Sequence, residues 1–445
     1  MSDLKSRIVE FLDRSEDFPT EVIPQNRRKP WYSIAMVWTG IYISIAAILD
    51  GLAVISGLSF KKSVVVLIIS FITFLALTAL QGSIGTDTGL STYMIAKQSF
   101  GKRGSHVVSL ISLIVNVGWF AINVRALSES VHAIWFGNIQ LMCIIFGVLM
   151  IITATVGYKG IEALSMPTVI YTFGFMMFNA IRVIMHDGTD FLELMDRAPI
   201  GEPVHMSVII SVLVGAMAAG AVNAPDVMRF SKKKSDNFKG LYLIGLPLAI
   251  CQPIAAIILA LHVQSGEFAT VMVQIGGVAG LLMVVLGAWT SNDNALYSAS
   301  LAFTEMFPKL KRWAVAITLG LIASVVAAFI NIGLYSNIML AFGCFIVPVL
   351  GIMISDYFVL PKIGLSSGIS LQKDEIINPI AIIVWFFGGI YAFVLDFQII
   401  ATFVPLPSVV KNMLICSFVY AVLMKVRHGK DSKVRVCLLY TSDAA

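Results

Sequence analysis

About a dozen apolar runs, each near the roughly 20 residues that a bilayer-crossing helix needs, follow one another from Ser33 to Met424 with short connections between them. Inside lipid only helices and closed barrels satisfy every backbone group. Runs of this length dictate helices. Composition agrees: of 445 residues, 58% are apolar and 13% charged, with a mean hydropathy of +0.88, whereas a soluble domain carries about twice that charge fraction. No room is left for a large soluble domain, so function has to lie among the helices.

The expected spans run at about 33–57, 63–82, 105–130, 134–158, 164–185, 205–230, 241–262, 271–303, 314–330, 334–360, 377–395 and 404–424. Residues 1–32 read as an N-terminal segment, 33–424 as the membrane domain and 425–445 as a tail whose last ten residues look non-native. Basic residues gather in alternate connections, among them Arg27 to Lys29, Lys102 with Arg103, Lys232 to Lys234, and Lys425 with Arg427. The positive-inside rule then puts both termini in the cytoplasm, in a cell (inner) membrane. These cations flank apolar helices, which excludes a nucleic-acid reading. The N-terminus carries no pattern of a cleavable signal. Residues 91–97 read as a short amphipathic helix on the cytoplasmic surface, and 157–160 as a turn between the fourth and fifth spans. The five cysteines and six histidines are scattered without metal-ligand spacing, so no cofactor is expected.

Within the eighth run sits a polar cluster, Trp289-Thr290-Ser291-Asn292-Asp293-Asn294. Hydroxyls, amides and a carboxylate at membrane depth are costly unless they face a partner, a cavity or an ion, so such clusters mark solute pathways. The sixth run contains small residues, Asn223 and Pro225 between Gly215 and Pro225, the pattern of a broken helix. If the first and sixth spans correspond, five helices repeat as five of opposite orientation, with two helices left over. Breaks in mirrored positions point to a carrier rather than a channel. An embedded enzyme would need a general base and a nucleophile at membrane depth, and no His is positioned to serve.

Four segments in this order resemble the nucleobase:cation symporter-1 family, in its cytosine permease-like branch. They are Gly118-Trp119-Phe120, Pro225-Asp226-Val227-Met228-Arg229-Phe230, Trp289 to Tyr297, and Pro348-Val349-Leu350-Gly351 with Ser355-Asp356-Tyr357. The resemblance implies an all-α, twelve-helix, LeuT-like fold of two inverted five-helix repeats plus two C-terminal helices. It implies a monomeric secondary transporter that imports a nucleobase, purine or related planar heterocycle with sodium by alternating access. A proton-coupled carrier of a hydantoin or thiamine precursor is the alternative.

Carried over residue by residue, the substrate stacks on Trp119. The facing position, aromatic in the family, is Met217 here, beside Ala216. A family Gln falls on Asn116, and a Phe of the first span on Ser44. The sodium positions fall on Gly40 and Ile43 in the first span, and on Gly287, Thr290 and Ser291 in the eighth. The alternative for the two hydroxyls is a bond back to their own helix. Asp293 is either an organiser of its helix or a protonatable coupling group. Two charges lie outside the family pattern, Asp50 and Arg125. Each lies about 9 Å along its helix from the pocket at 1.5 Å per residue, which suggests a gating ion pair; Arg125 with Glu129 one turn along is the alternative.

Overall fold

The computed structural model describes residues 21–155, 158–186, 191–397 and 407–429. The first span is α1 (Trp31–Tyr42) and α2 (Ile45–Gly57), bent by 46° at their junction. α3 (Phe60–Thr88), the short α4 (Thr92–Phe100), α5 (Ser105–Trp135), α6 (Ile139–Thr155) and α7 (Tyr158–His186) follow. After α8 (Phe191–Asp196), the sixth span is α9 (Met206–Val222) with α10 (Ala224–Met228). α11 (Lys234–Phe238) passes through a π-helical turn into α12 (Leu246–Val263). α13 (Phe268–Met306), α14 (Arg312–Phe329), α15 (Tyr335–Ile354), the short α16 (Ile369–Gln372), α17 (Pro379–Asp396) and α18 (Ser408–His428) complete the chain.

Among the described residues, ten helical stretches are long and apolar enough to cross a membrane, and the bent α1–α2 pair makes an eleventh. The 17-residue α6 fills the place of the fourth span, so twelve helical segments line up with the twelve runs. Their outer faces carry large apolar side chains such as Ile69, Ile114, Ile152, Phe178, Val325 and Phe387, as lipid contact requires. The expected start of the last span at 404, residues 156–157 and the final segment 430–445 lie outside the described residues; of the expected turn 157–160, residues 158–160 already belong to the first turn of α7. α18 runs to His428, past the expected boundary at 424.

Two groups of helices organise the site. α1–α2, α3, α9–α10 and α12 pack on one another as a bundle, and α5, α6, α13 and α14 form a scaffold in which α13 lies along α5. α15 packs along α9, with α17 and α18 behind it.

The first span breaks at Ile43 (φ −89°, ψ 75°) and Ser44 (φ −143°, ψ 175°). The helical ladder stops when the Ile43 amide donates to Thr39 O at 2.8 Å, and Gln252 Nε2 of α12 donates to the Ser44 carbonyl at 3.2 Å. A neighbouring helix thus satisfies the backbone that the break exposes, as lipid demands.

The sixth span departs from expectation. α9 is regular through Val222, and the interruption is one residue, Asn223 (φ −83°, ψ 4°), with Pro225 starting α10. The small residues upstream serve packing instead of unwinding: a Cβ on Gly215 would stand 2.1 Å from Met339 O of α15. Small residues let membrane helices approach this closely. α13 is bent at Gly277, whose φ of 51° suits glycine alone. α4 is a second correction. Thr92, Tyr93, Ile95, Ala96, Ser99 and Phe100 are buried, so α4 is wedged among the spans and does not lie on the membrane surface.

Candidate functional site

A cavity of about 130 Å³ lies between bundle and scaffold. An apolar cavity of about 150 Å³ holds one benzene ring, so a single small ring suits this space. Trp119 and Asn116 of α5, Ser44 at the break, and Ala216 and Met217 of α9 all line it. The five expected substrate positions are therefore brought together. Trp119 is only 8% exposed and lies edge-on to Tyr335 of α15, centroids 6.1 Å apart at 69°. Asn116 Nδ2 donates to Ser112 O at 2.7 Å, which anchors the amide one turn below the indole.

Asn123, one turn beyond Trp119, also lines the cavity and donates to Asn292 Oδ1 at 3.0 Å. Asn292 in turn donates to Met150 Sδ of α6 at 3.0 Å. The polar cluster of α13 thereby divides. Ser291 and Asn294 line the cavity, whereas Asp293 faces α6, where Thr153 Oγ1 donates to it at 2.7 Å and itself accepts from Trp289 Nε1 at 2.7 Å. Asp293 is fully buried and absent from the cavity wall, and its second carboxylate oxygen has no hydrogen-bond partner.

Of the expected ion positions, Gly40 and Ile43 lie at the break and Gly287 touches it. A Cβ on Gly287 would stand 3.5 Å from Ile45 N and 3.8 Å from Ser44 Cα, so α13 touches the first span where its ladder ends. Gly40 and Ile43 belong to the last turn and C-cap of α1. The hydroxyls of Thr290 and Ser44 are buried with no hydrogen-bond partner, and Ser44, the N-cap residue of α2, makes no capping bond. A hard monovalent cation needs oxygen ligands to replace its water shell. Unpartnered hydroxyls beside interrupted backbone are such oxygens. Among the described residues no three His, Cys, Asp or Glu side chains group to hold a metal.

The expected Asp50–Arg125 pair is not formed. Asp50 lines the cavity and accepts from Tyr335 Oη at 2.8 Å. Arg125 Nε donates to Glu129 Oε1 at 2.6 Å and Nη1 to Ala328 O of α14 at 3.1 Å. The depth estimate ignored rotation. At 3.6 residues per turn, six residues turn a helix through about 240°, so Arg125 leaves α5 on a different face from Trp119.

Sequence reasoning missed further residues. Trp38 and Tyr42 of α1, Phe71 and Phe74 of α3, and Asn223 line the cavity; the spacing of the two aromatic pairs reads equally well as core packing. On the side where the chain enters α1, Tyr93 Oη of α4 donates to Asn223 Oδ1 at 3.2 Å and to Ser298 O at 3.1 Å, and Arg229 Nη2 donates to Tyr297 Oη at 3.1 Å. Nearby, Arg28 Nη1 donates to Thr86 O at 2.7 Å and Ser231 O at 3.2 Å. Burial lowers its pKa from the ordinary guanidinium value, and the charge of Asp87 opposes that shift.

Residues 21–419 match the family described as permease for cytosine/purines, uracil, thiamine, allantoin. The chain is 26% identical over 362 residues to the cytosine permease of Escherichia coli, covering 78% of this chain and 82% of that one. It is 22% identical over 366 residues to the hydantoin permease of Microbacterium maritypicum, covering 74% and 73%. The fold is similar to that of Mhp1, a nucleobase-cation-symport-1 family transporter in a closed conformation with bromovinylhydantoin bound, with a TM-score of 0.80 and 17% identity over 94% of this chain and 96% of that one.

Proposed function

The chain belongs to the family of permeases for cytosine, purines, uracil, thiamine and allantoin, and from that premise we propose that it imports a nucleobase or related planar nitrogen heterocycle by sodium symport. It is a multi-pass membrane permease and not an enzyme. The proposed setting is the inner membrane, as a monomer with both termini cytoplasmic. In this reading the ring stacks on Trp119 against Met217, and Asn116, Ser44 and Ala216 complete its surroundings.

One observation carries the coupling: Ser44 belongs both to the cavity wall and to the break that α13 touches at Gly287. Sodium held by the carbonyls of Gly40, Ile43 and Gly287 and the hydroxyls of Thr290 and Ser291 ties bundle to scaffold. That tie fixes the wall on which the ring sits. Coupling between two sites is reciprocal, so sodium raises affinity for the ring and the ring raises affinity for sodium. Small shifts of bundle against scaffold then expose the same site to either side in turn.

Asp50, a carboxyl on the cavity wall, supports a second reading in which a proton is the coupled ion. Uptake of radiolabelled cytosine, uracil, hypoxanthine and hydantoin into cells or proteoliposomes distinguishes them. Replacing external sodium by choline at constant pH is expected to abolish uptake of the transported ring. Unchanged uptake in choline that collapses with the proton gradient would transfer the role to Asp50.

A further inference from the structure

The cavity is elongated. Along the sixth span its wall runs from Ala216 to Val227, about 16 Å at 1.5 Å per residue, and Met217 stands near one end. Toward the start of α1 the wall becomes aromatic, with Trp38, Tyr42, Phe71 and Phe74. Trp38 and Tyr42 lie 5.6 Å apart at 30°, and Phe74 stands edge-on to Tyr42 at 5.9 Å and 85°.

Packing alone accounts for an aromatic stripe, but two observations exceed it. The Trp38 indole nitrogen is buried and has no hydrogen-bond partner, although a buried donor is costly to leave unpaired. Gly220 also lines the cavity beside these rings: a Cβ there would lie 3.6 Å from Phe74 Cζ and 3.9 Å from Trp38 Cζ3. Both are ordinary contact distances. A Cβ would fit, and its absence leaves space against Trp38 and Phe74 in the last turn of α9.

We propose that this end of the cavity is a second binding position for the transported ring, reached on the way between Trp119 and the side where the chain enters α1. The ligand class is a flat heterocycle with an acceptor at its edge, stacked against Trp38 and Phe74 and receiving a hydrogen bond from Trp38 Nε1. Stacking on aromatic side chains tolerates any base-like ring, so a second platform shortens the step out of the first. The inference rests on the heterocycle reading given above.

The test uses purified full-length protein in proteoliposomes with tritiated cytosine, uracil, hypoxanthine and hydantoin as probes. For the ring that wild type binds, Gly220→Leu and Trp38→Ala are expected to keep the dissociation constant within about threefold while maximal transport falls at least about tenfold. Trp38→Phe, which keeps a ring but loses the N–H, should fall between, and Trp119→Ala should weaken binding instead. Gly220→Ala, adding one methyl at contact distance, should match wild type in thermal midpoint and so separate blockage from misfolding. Wild-type transport rates in both Gly220→Leu and Trp38→Ala would overturn the proposal. So would a loss of affinity in them equal to that of Trp119→Ala, because the cavity would then be one site. If no probe bound wild type at all, the substrate class itself would fall, a result distinct from either of these.

Discussion

Hydroxyls in these membrane helices mostly bond back to their own backbone. Thr39, Thr78, Ser83, Ser128, Ser130 and Thr304 each donate to the carbonyl four residues earlier, which satisfies the hydroxyl without a partner from another helix. Thr290 is equally buried and makes no such bond. Its free oxygen, about one turn along α13 from the contact of Gly287 with the break, motivates the prediction that Thr290→Ala lowers apparent sodium affinity by about tenfold, the order expected for one lost ligand or hydrogen bond to a charge. Ring binding at saturating sodium should change little, whereas Trp119→Ala should do the reverse. Sodium-dependence curves and equilibrium binding check both; a Thr290→Ala protein with wild-type sodium dependence would move the ion elsewhere. Asp50 and Arg125 carry a second prediction. Because Arg125 is paired with Glu129 and bonded to Ala328 O, a charge swap between positions 50 and 125 should rescue neither single alanine variant, and Glu129→Ala should resemble Arg125→Ala in thermal midpoint. These two charges also mark what was not legible in the sequence at this scale. Residue spacing gives depth and the rotation of Arg125 relative to Trp119, but which neighbour that face meets depends on how α5 packs against α13 and α14.

Two glycines of α9, five residues apart, have opposite consequences. Gly215 meets the backbone of α15, where a Cβ would be 2.1 Å from Met339 O, while Gly220 opens onto the cavity with its nearest neighbour at 3.6 Å. Gly215→Ala must therefore push two helices apart, and overpacking of this kind costs about 1–3 kcal/mol. Gly220→Ala removes a helix-disfavouring residue and should be neutral or stabilising by up to about 1 kcal/mol. The thermal midpoint should fall for Gly215→Ala and stay at or slightly above that of wild type for Gly220→Ala, and equal shifts would mean that α9 and α15 are not in close contact. The same helix explains an element-scale misreading. A run of Gly and Ala before a Pro signals either weakness or close approach, and the local sequence is identical in both cases; the facing Gly343, whose own Cβ would stand 2.9 Å from Gly215 Cα, decides for close approach. The first span is the opposite case. No glycine or proline stands at Ile43 or Ser44, so local propensity gave no reason to break there; the family resemblance supplied the position, and Gln252 supplies the hydrogen bond that sustains it. The helices themselves were legible because bilayer thickness sets their length, and the positions proposed for the substrate on α5 and α9 do line one cavity.

At the scale of the whole molecule, two hydrogen-bonded ties join cavity-wall residues to neighbouring helices, and they suggest a closure at two ends. On one side Tyr335 of α15 donates to Asp50 of α2 while its ring abuts Trp119. On the other, Tyr93 ties Asn223 of the bundle to Ser298 of the scaffold. Alternating access requires that one tie part while the other holds, so each bond is a term in the equilibrium between the two open forms. Tyr93→Phe removes a hydroxyl whose single proton is shared between two acceptors across the bundle–scaffold boundary, worth about 0.5–1.5 kcal/mol net. The form open on the side where the chain enters α1 should then gain about 2- to 13-fold in population relative to the closed form. Tyr335→Phe keeps the ring against Trp119, loses the bond to Asp50, and should favour opening on the far side. A cysteine at Ala295, on the cavity wall, reports both when the five native cysteines are replaced. With a membrane-impermeant thiol reagent applied to one face of oriented proteoliposomes, Tyr93→Phe should accelerate labelling from the α1-entry face and slow it from the other, and Tyr335→Phe should show the mirrored pattern. Acceleration from both faces by either variant would mean that the bond holds the fold together rather than choosing a direction, and the two-ended closure would have to be abandoned.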